Sequence, residues 1–187
     1  MKFFTSDLHA YHKFIATFRG FNDVEQMNNS IIRSINNYVR TEDELYIIGD
    51  LSFGNVENTS EFLNQIHCKS KYLILGNHDN EKRISKLLDH FIWVKDRYLL
   101  KIKYSDEHTG NQKLFLDHYP MLTWPEAHHG TWQVHGHSHG SLDSEYASTR
   151  IDVGWDIWRR PIAYEDIKRY MLSKSYKIVD HHGERNE

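Results

Sequence analysis

The chain has 187 residues, 39% hydrophobic and 26% charged, with a formal net charge of −3 at pH 7. This is the composition of one ordinary globular domain spanning 1–187, large enough to bury roughly 70% of its extended surface without a disulfide. The acidic balance excludes a general attraction to nucleic acid or anionic membrane.

The elements follow from hydrophobic spacing. KFFTS (2–6) reads as a first strand, and residues 22–39 read as a helix, with apolar positions at Val24, Met27, Ile31, Ile35, Tyr38 and Val39. ELYIIG (44–49) is a second buried strand, followed by a helix near 56–67, a third strand KYLIL (71–75) and a short helix around 81–88. Strands alternating with helices predict βαβ units and parallel pairing. Beyond residue 90 the pattern changes to strands without helices between them, at 91–94, 97–104, 112–118, 131–136 and 148–154. The polar link SDEHTGN reads as a hairpin turn, so the sheet is expected to turn antiparallel in this half. A last helix at 163–172 precedes a charged tail, of which 180–187 are expected to fray. No apolar run reaches the ~18 residues of a membrane helix. The opening MKFFTSDLHAYHKF carries polar and charged residues too early for a signal peptide. With the lone Cys68, which permits no internal disulfide, these features predict a cytoplasmic protein with no membrane partner.

The unusual feature is the placement of the fourteen histidines. Ligands in α/β sheets bind beyond the carboxyl ends of strands, and that is where Asp, Asn and His collect. Ser6-Asp7-Leu8-His9 follows the first strand, Gly49-Asp50 the second and Gly76-Asn77-His78-Asp79 the third; Asp117-His118-Tyr119-Pro120 and Gly136-His137-Ser138-His139-Gly140 follow later ones. Each short motif alone has an ordinary explanation as a turn or cap. Their conjunction, each at a strand end, points to divalent-cation ligation by mixed oxygen and nitrogen donors. Cysteine is absent from the set, which argues against a structural zinc site. Seven ligands exceed what one ion with an open position uses, so two ions sharing a carboxylate are expected.

These blocks, Asp-x-His, Gly-Asp, Gly-Asn-His-Asp, His and Gly-His-x-His in that order over roughly residues 3–140, resemble the calcineurin-like metallophosphoesterases. TSDLHAYHKF, DHYPMLTW and VGWDIWRRPI resemble the small bacterial and phage-type members. The resemblance implies an α/β sandwich of two mixed β-sheets flanked by helices. It also implies a dinuclear centre in which Asp7, His9 and His139 hold the first metal, Asp50 bridges, and Asn77, His118 and His137 complete the second. His78 would face the scissile phosphate instead of binding metal, with Asp79 supporting the turn. Mn²⁺ is the expected metal, with Fe, Zn, Ni or Mg as alternatives.

Two such cations lower the pKa of a bridging water and neutralise phosphate oxygens, so hydroxide attacks phosphorus in line. One departure from the family pattern concerns the residue that usually orients the catalytic histidine. Gly49-Asp50-Leu51-Ser52-Phe53 puts an aromatic where relatives carry a second aspartate, leaving Asp79 as a candidate to hold His78.

The expected substrate is a small phosphorylated or nucleotide-like phosphodiester. Trp124, Trp132, Trp155 and Trp158 are candidates to stack a base, and Arg150, Arg159 and Arg160 to clamp a second phosphate, each weighed against an ordinary core or surface role. Tyr11 and His12 are placed at the pocket rim, and the pairs His128-His129 and His181-His182 outside it. Alternatives are a phosphomonoesterase or DNA nuclease of the same fold, nucleic acid being disfavoured by the charge, and a non-catalytic binding scaffold.

Overall fold

Side-chain alternation along the first strands decides the layering. The computed structural model describes residues 1–103, 111–142 and 148–174. In it β1 (Lys2–Thr5), β2 (Glu44–Ile48) and β3 (Ser70–Ile74) pair in parallel, with Phe3 opposite Leu45 and Phe4 opposite Tyr46. Because neighbouring side chains point to opposite faces, Phe3, Leu45, Ile47 and Leu73 enter one apolar cluster while Phe4, Tyr46, Ile48 and Ile74 enter another.

The first cluster is closed by helices. In α2 (Val24–Tyr38) the buried Met27, Ile31 and Ile35 form one stripe, and the Asp23 carboxylate caps its start by accepting from the Gln26 N–H. In α3 (Val56–Asn64), Phe62 and Leu63 do the same behind an Asn55 cap. The second cluster is closed by a second sheet of β5 (Arg97–Lys103), β6 (Asn111–Asp117), β7 (Trp132–His135) and β8 (Arg150–Asp152). Leu100, Leu114, Val134 and Ile151 pack onto the first sheet from there. A late strand, β9 (Ile162–Ala163), joins the first sheet antiparallel to β1. It leads directly into the last helix, α6 (Tyr164–Leu172), whose Ile167 and Met171 seal the same cluster. The result is the expected pair of mixed sheets flanked by helices.

The sequence reading needs correction in the second half. β5 and β6 do form an antiparallel hairpin, yet β6–β7 and β7–β8 are parallel. Residues 118–131 and 136–149 are long enough for crossovers, which parallel pairing requires, but they lack the helical pattern that would have signalled them. The 91–94 segment is shifted to β4 (Trp93–Lys95), which adds in parallel to β3 in the first sheet behind a 3₁₀ turn at Leu88–His90. The helix near 81–88 shortens to α4 (Glu81–Ile84), and two further short helices appear, α1 (Lys13–Phe18) and α5 (Trp155–Trp158). Residues 105–110 of the SDEHTGN turn and the tail at 180–187 lie outside the described residues. No described helix is long and apolar enough to cross a membrane.

Candidate metal centre

Strand direction brings the motifs together. β1, β2 and β3 are parallel, so the Asp7, Asp50 and Asn77 turns leave the first sheet at one edge; β6 and β7 deliver His118 and His137 from the second. The loops are bonded across the sheets. The Asp7 carboxylate accepts from the His137 N–H at 3.0 Å, the Ser6 hydroxyl donates to the Ile48 carbonyl, and the Gly136 N–H donates to the His118 carbonyl. A Cβ on Gly136 would collide with Ser6 and Asp7, and one on Gly76 with the Asp50 carboxylate. The motif glycines therefore allow the turns to close.

The turns are strained where the donors sit. Asp7, His9, Asp50, His137 and His139 all have φ between 47° and 67°, a left-handed conformation that non-glycine residues adopt at a cost and that clusters at functional sites.

All seven sequence-predicted ligands converge. His9 Nε2 lies 3.3 Å from His139 Nε2, and His139 Nε2 lies 3.6 Å from Asp7 Oδ1. Asp50 Oδ2 lies 3.8 Å from His9 Nε2 and 3.5 Å from His118 Nε2, so this carboxylate faces both halves of the site. Asn77 Oδ1 lies 3.0 Å from both His118 Nε2 and His137 Nδ1. Asp7, His9 and His139 form one group able to hold a cation; Asp7, Asp50 and His118 form another, which puts Asp7 at their junction as well. Asp7, His9, Asp50 and His118 are buried, whereas Asn77 and His137 are exposed at the mouth. His78 is also exposed, 47% at its side chain, with Nε2 4.0 Å from Asp50 Oδ2.

The electrostatics follow from this crowding. Burial pushes the Asp7 carboxyl up to about 6, although His118 and Ser6 oppose it. Burial also lowers the His9 imidazole, leaving a neutral ring with a lone pair. For His118, burial disfavours charge but the Asp50 carboxylate outweighs it, raising the ring to about 9. Buried carboxylates facing imidazole nitrogens across 3–4 Å need a cation or protons between them. The His9 and His139 Nε2 atoms, only 3.3 Å apart and both facing Asp7 Oδ1, fit a divalent ion between these donors.

The family comparison adds the decisive observation, since a model of calcineurin-like phosphoesterases matches residues 3–183. The chain belongs to that family. Calcineurin-like phosphoesterases are metal-dependent phosphoester hydrolases, and this coarse activity carries over to the chain. Gene 66 protein of Mycobacterium phage L5 is 26% identical, with 95% of this chain and 93% of that protein covered. An uncharacterized protein of Methanocaldococcus jannaschii, MJ1445, is 28% identical over 75% of this chain and 70% of its own length. The crystal structure of a protein of unknown function from Aquifex aeolicus, AQ665, superposes with a TM-score of 0.67 over 91% of this chain and 98% of that one, at 23% identity, a likeness of fold.

Several side chains around the centre take roles that the sequence left open or missed. The Asp79 carboxylate accepts the backbone N–H groups of Asp50, Leu51 and Gly76, so it ties two ligand turns together and is not spent on His78. Arg83 donates to the carbonyls of Ser52, Gly54 and His78 and fixes the same pair of loops. The His78 ring instead packs on Phe53, their centroids 4.8 Å apart. Phe53 continues to His12 at 4.1 Å, and Tyr11 is half-buried beside it in the chain. The tryptophans belong to the core: Trp124, Trp132 and Trp155 are buried, and Trp158 donates to the Asp152 carbonyl. Arg150 donates to the Met121 carbonyl and Arg160 pairs with Asp166, which commits both away from a second phosphate. Arg159, half-exposed, lies 3.9 Å from Asp156. His128 and His129 sit on a separate 3₁₀ turn at Ala127–His129.

Proposed function

We propose that the protein hydrolyses a small nucleotide-like phosphodiester at a two-metal centre. Asp7, His9 and His139 would hold one ion, Asn77, His118 and His137 the other, and Asp50 would serve both. When bound, the ions supply a water of lowered pKa and neutralise the phosphate oxygens. The observation that carries the reading is the convergence of these seven donors, five of them on strained left-handed turns, where the strand ends of the two sheets meet, in a chain of the calcineurin-like family.

The chain's own residues have distinct tasks. His118 Nδ1–H donates to the Ile48 carbonyl at 2.8 Å, which leaves Nε2 as the ligating nitrogen. The exposed His78 would donate a hydrogen bond to a phosphate oxygen or to the leaving group. Its backbone N–H, held 2.9 Å from Asp50 Oδ1, anchors it to the centre, and Phe53 supports the ring in place of a carboxylate. Phe53 (40% exposed) and His12 offer a planar group attached to the phosphate an aromatic rim, which supports the nucleotide-like assignment. The buried free thiol of Cys68 is in keeping with a reducing cytoplasm.

Metal-stripped protein assayed with Mn²⁺ added back, on a bis(p-nitrophenyl) phosphodiester beside p-nitrophenyl phosphate, tests the reading. Metal-dependent turnover of the diester above the monoester is expected; metal-dependent turnover of the monoester alone would reassign the substrate class.

A further inference from the structure

The turns that carry Asp7, His9 and His139 share one support that lies outside the five ligand motifs. The Arg19 side chain is fully buried and all five of its N–H donors have acceptors. Nε donates to Asp156 Oδ1 at 2.8 Å, and one NH2 hydrogen goes to Asp156 Oδ2 at 2.8 Å, a bidentate pair. The remaining donors reach the Asp7 carbonyl at 2.7 Å, the Leu8 carbonyl at 2.8 Å and the Met27 sulfur at 3.7 Å. Asp156 Oδ2 in turn accepts from His139 Nδ1 at 2.6 Å.

We infer that Arg19 and Asp156 form a positioning clamp for the metal held by Asp7, His9 and His139, far more than for its neighbour. On one side the guanidinium grips the carbonyls of the strained Asp7-Leu8-His9 turn. On the other, Asp156 fixes the His139 ring with its proton on Nδ1, so that Nε2 points at His9 Nε2 and Asp7 Oδ1. The other half of the site is braced differently. His118 is oriented by the Ile48 carbonyl, and the Asp50 and Gly76 turns by Asp79. His139, which Asp156 orients, belongs to one ligand group only, whereas Asp7 stands in both, so loss of Asp156 should weaken the ion held by Asp7, His9 and His139 far more than its neighbour. A lysine cannot replace Arg19, because a single ammonium cannot reproduce a planar fork serving four oxygens.

This inference rests on the two-metal reading, and its test separates the two. Mn²⁺ binding to Asp156→Asn, Asp156→Ala and Arg19→Lys is followed by calorimetry, with the coupled-spin EPR signal of a manganese pair as a second readout. In Asp156→Asn one oxygen cannot serve three donors, so one of two equivalents should weaken roughly 10–100-fold while the other changes far less, and the pair signal should fade. Leu63→Ala, a core truncation outside the clamp, controls for lost stability and should leave both equivalents intact. Ring-nitrogen NMR of the metal-free protein at alkaline pH gives a readout that needs no metal. His139 should hold its proton on Nδ1 in the wild type and lose that bias in Asp156→Ala. The clamp is overturned if both equivalents weaken together, if neither changes, or if the His139 tautomer is indifferent to Asp156. Absence of Mn²⁺ binding in the wild type would instead overturn the two-metal reading, and the tautomer would still judge the clamp. Should Arg19→Lys fail to fold, the Asp156 variants decide alone.

Discussion

His78 and Asp50 sit 4.0 Å apart and should fail in different ways when replaced. On the proposed role of His78 as a donor to the substrate phosphate, His78→Ala should lower kcat about 10²–10³-fold with metal content unchanged. Asp50→Asn should lose metal and activity together, since this carboxylate faces both halves of the centre; metal analysis beside turnover checks the pair. Asp156 supplies a pH signature. Against the cost of burial, His139 and Arg19 hold its carboxyl far below the usual range. A depressed folded pKa gives stability that is present above the unfolded value, about 3.9, and is lost as pH falls below it. Acid unfolding of metal-free wild type and Asp156→Asn should therefore differ most above pH ~4 and converge as the solution is made more acidic. At this scale the sequence was informative where chemistry is local. Asp7, His9, Asp50, Asn77, His118, His137 and His139 stand in short turn motifs, whereas Arg19 and Asp156 meet only through the fold, and no nearby residue announces their pairing.

Among the elements, the strands of the first sheet were legible because a buried strand writes its period into a few consecutive residues, as in Leu45 to Ile48. α1 was not. It has six residues, and two of its apolar side chains, Phe14 and Phe18, are 70% and 72% exposed, so no apolar stripe marks it. The parallel direction of β7 and β8 was equally hidden, because their crossovers lack helical spacing. The glycine turns between strand and ligand are the elements most sensitive to substitution. Gly136→Ala would drive a methyl into Ser6 and Asp7, at the junction of the two ligand groups. It should reduce metal affinity at least as much as losing one ligand, while the far-ultraviolet circular dichroism stays that of the wild type.

At the scale of the molecule, two apolar clusters hold the sheets and helices in register and leave the acidic centre to be completed by cations. Metal should therefore stabilise the whole chain. At an Mn²⁺ concentration 100 times the dissociation constant, one site contributes about 2.7 kcal/mol; for a chain of this size that corresponds to a rise in Tm of about 5–10 °C, read by calorimetry with and without chelator. The architecture also explains why the family motifs were readable across so divergent a chain: strand ends of two sheets must meet at one edge, and only short donors on tight turns fit there. The central claim, a two-ion centre that hydrolyses phosphodiesters, is tested most directly by titrating metal-stripped protein with Mn²⁺ while measuring binding and diester turnover on the same samples. Two equivalents per chain, with turnover reaching its full value only as the second is taken up, is the result predicted here. Full turnover at a single equivalent, or turnover independent of metal, would contradict it.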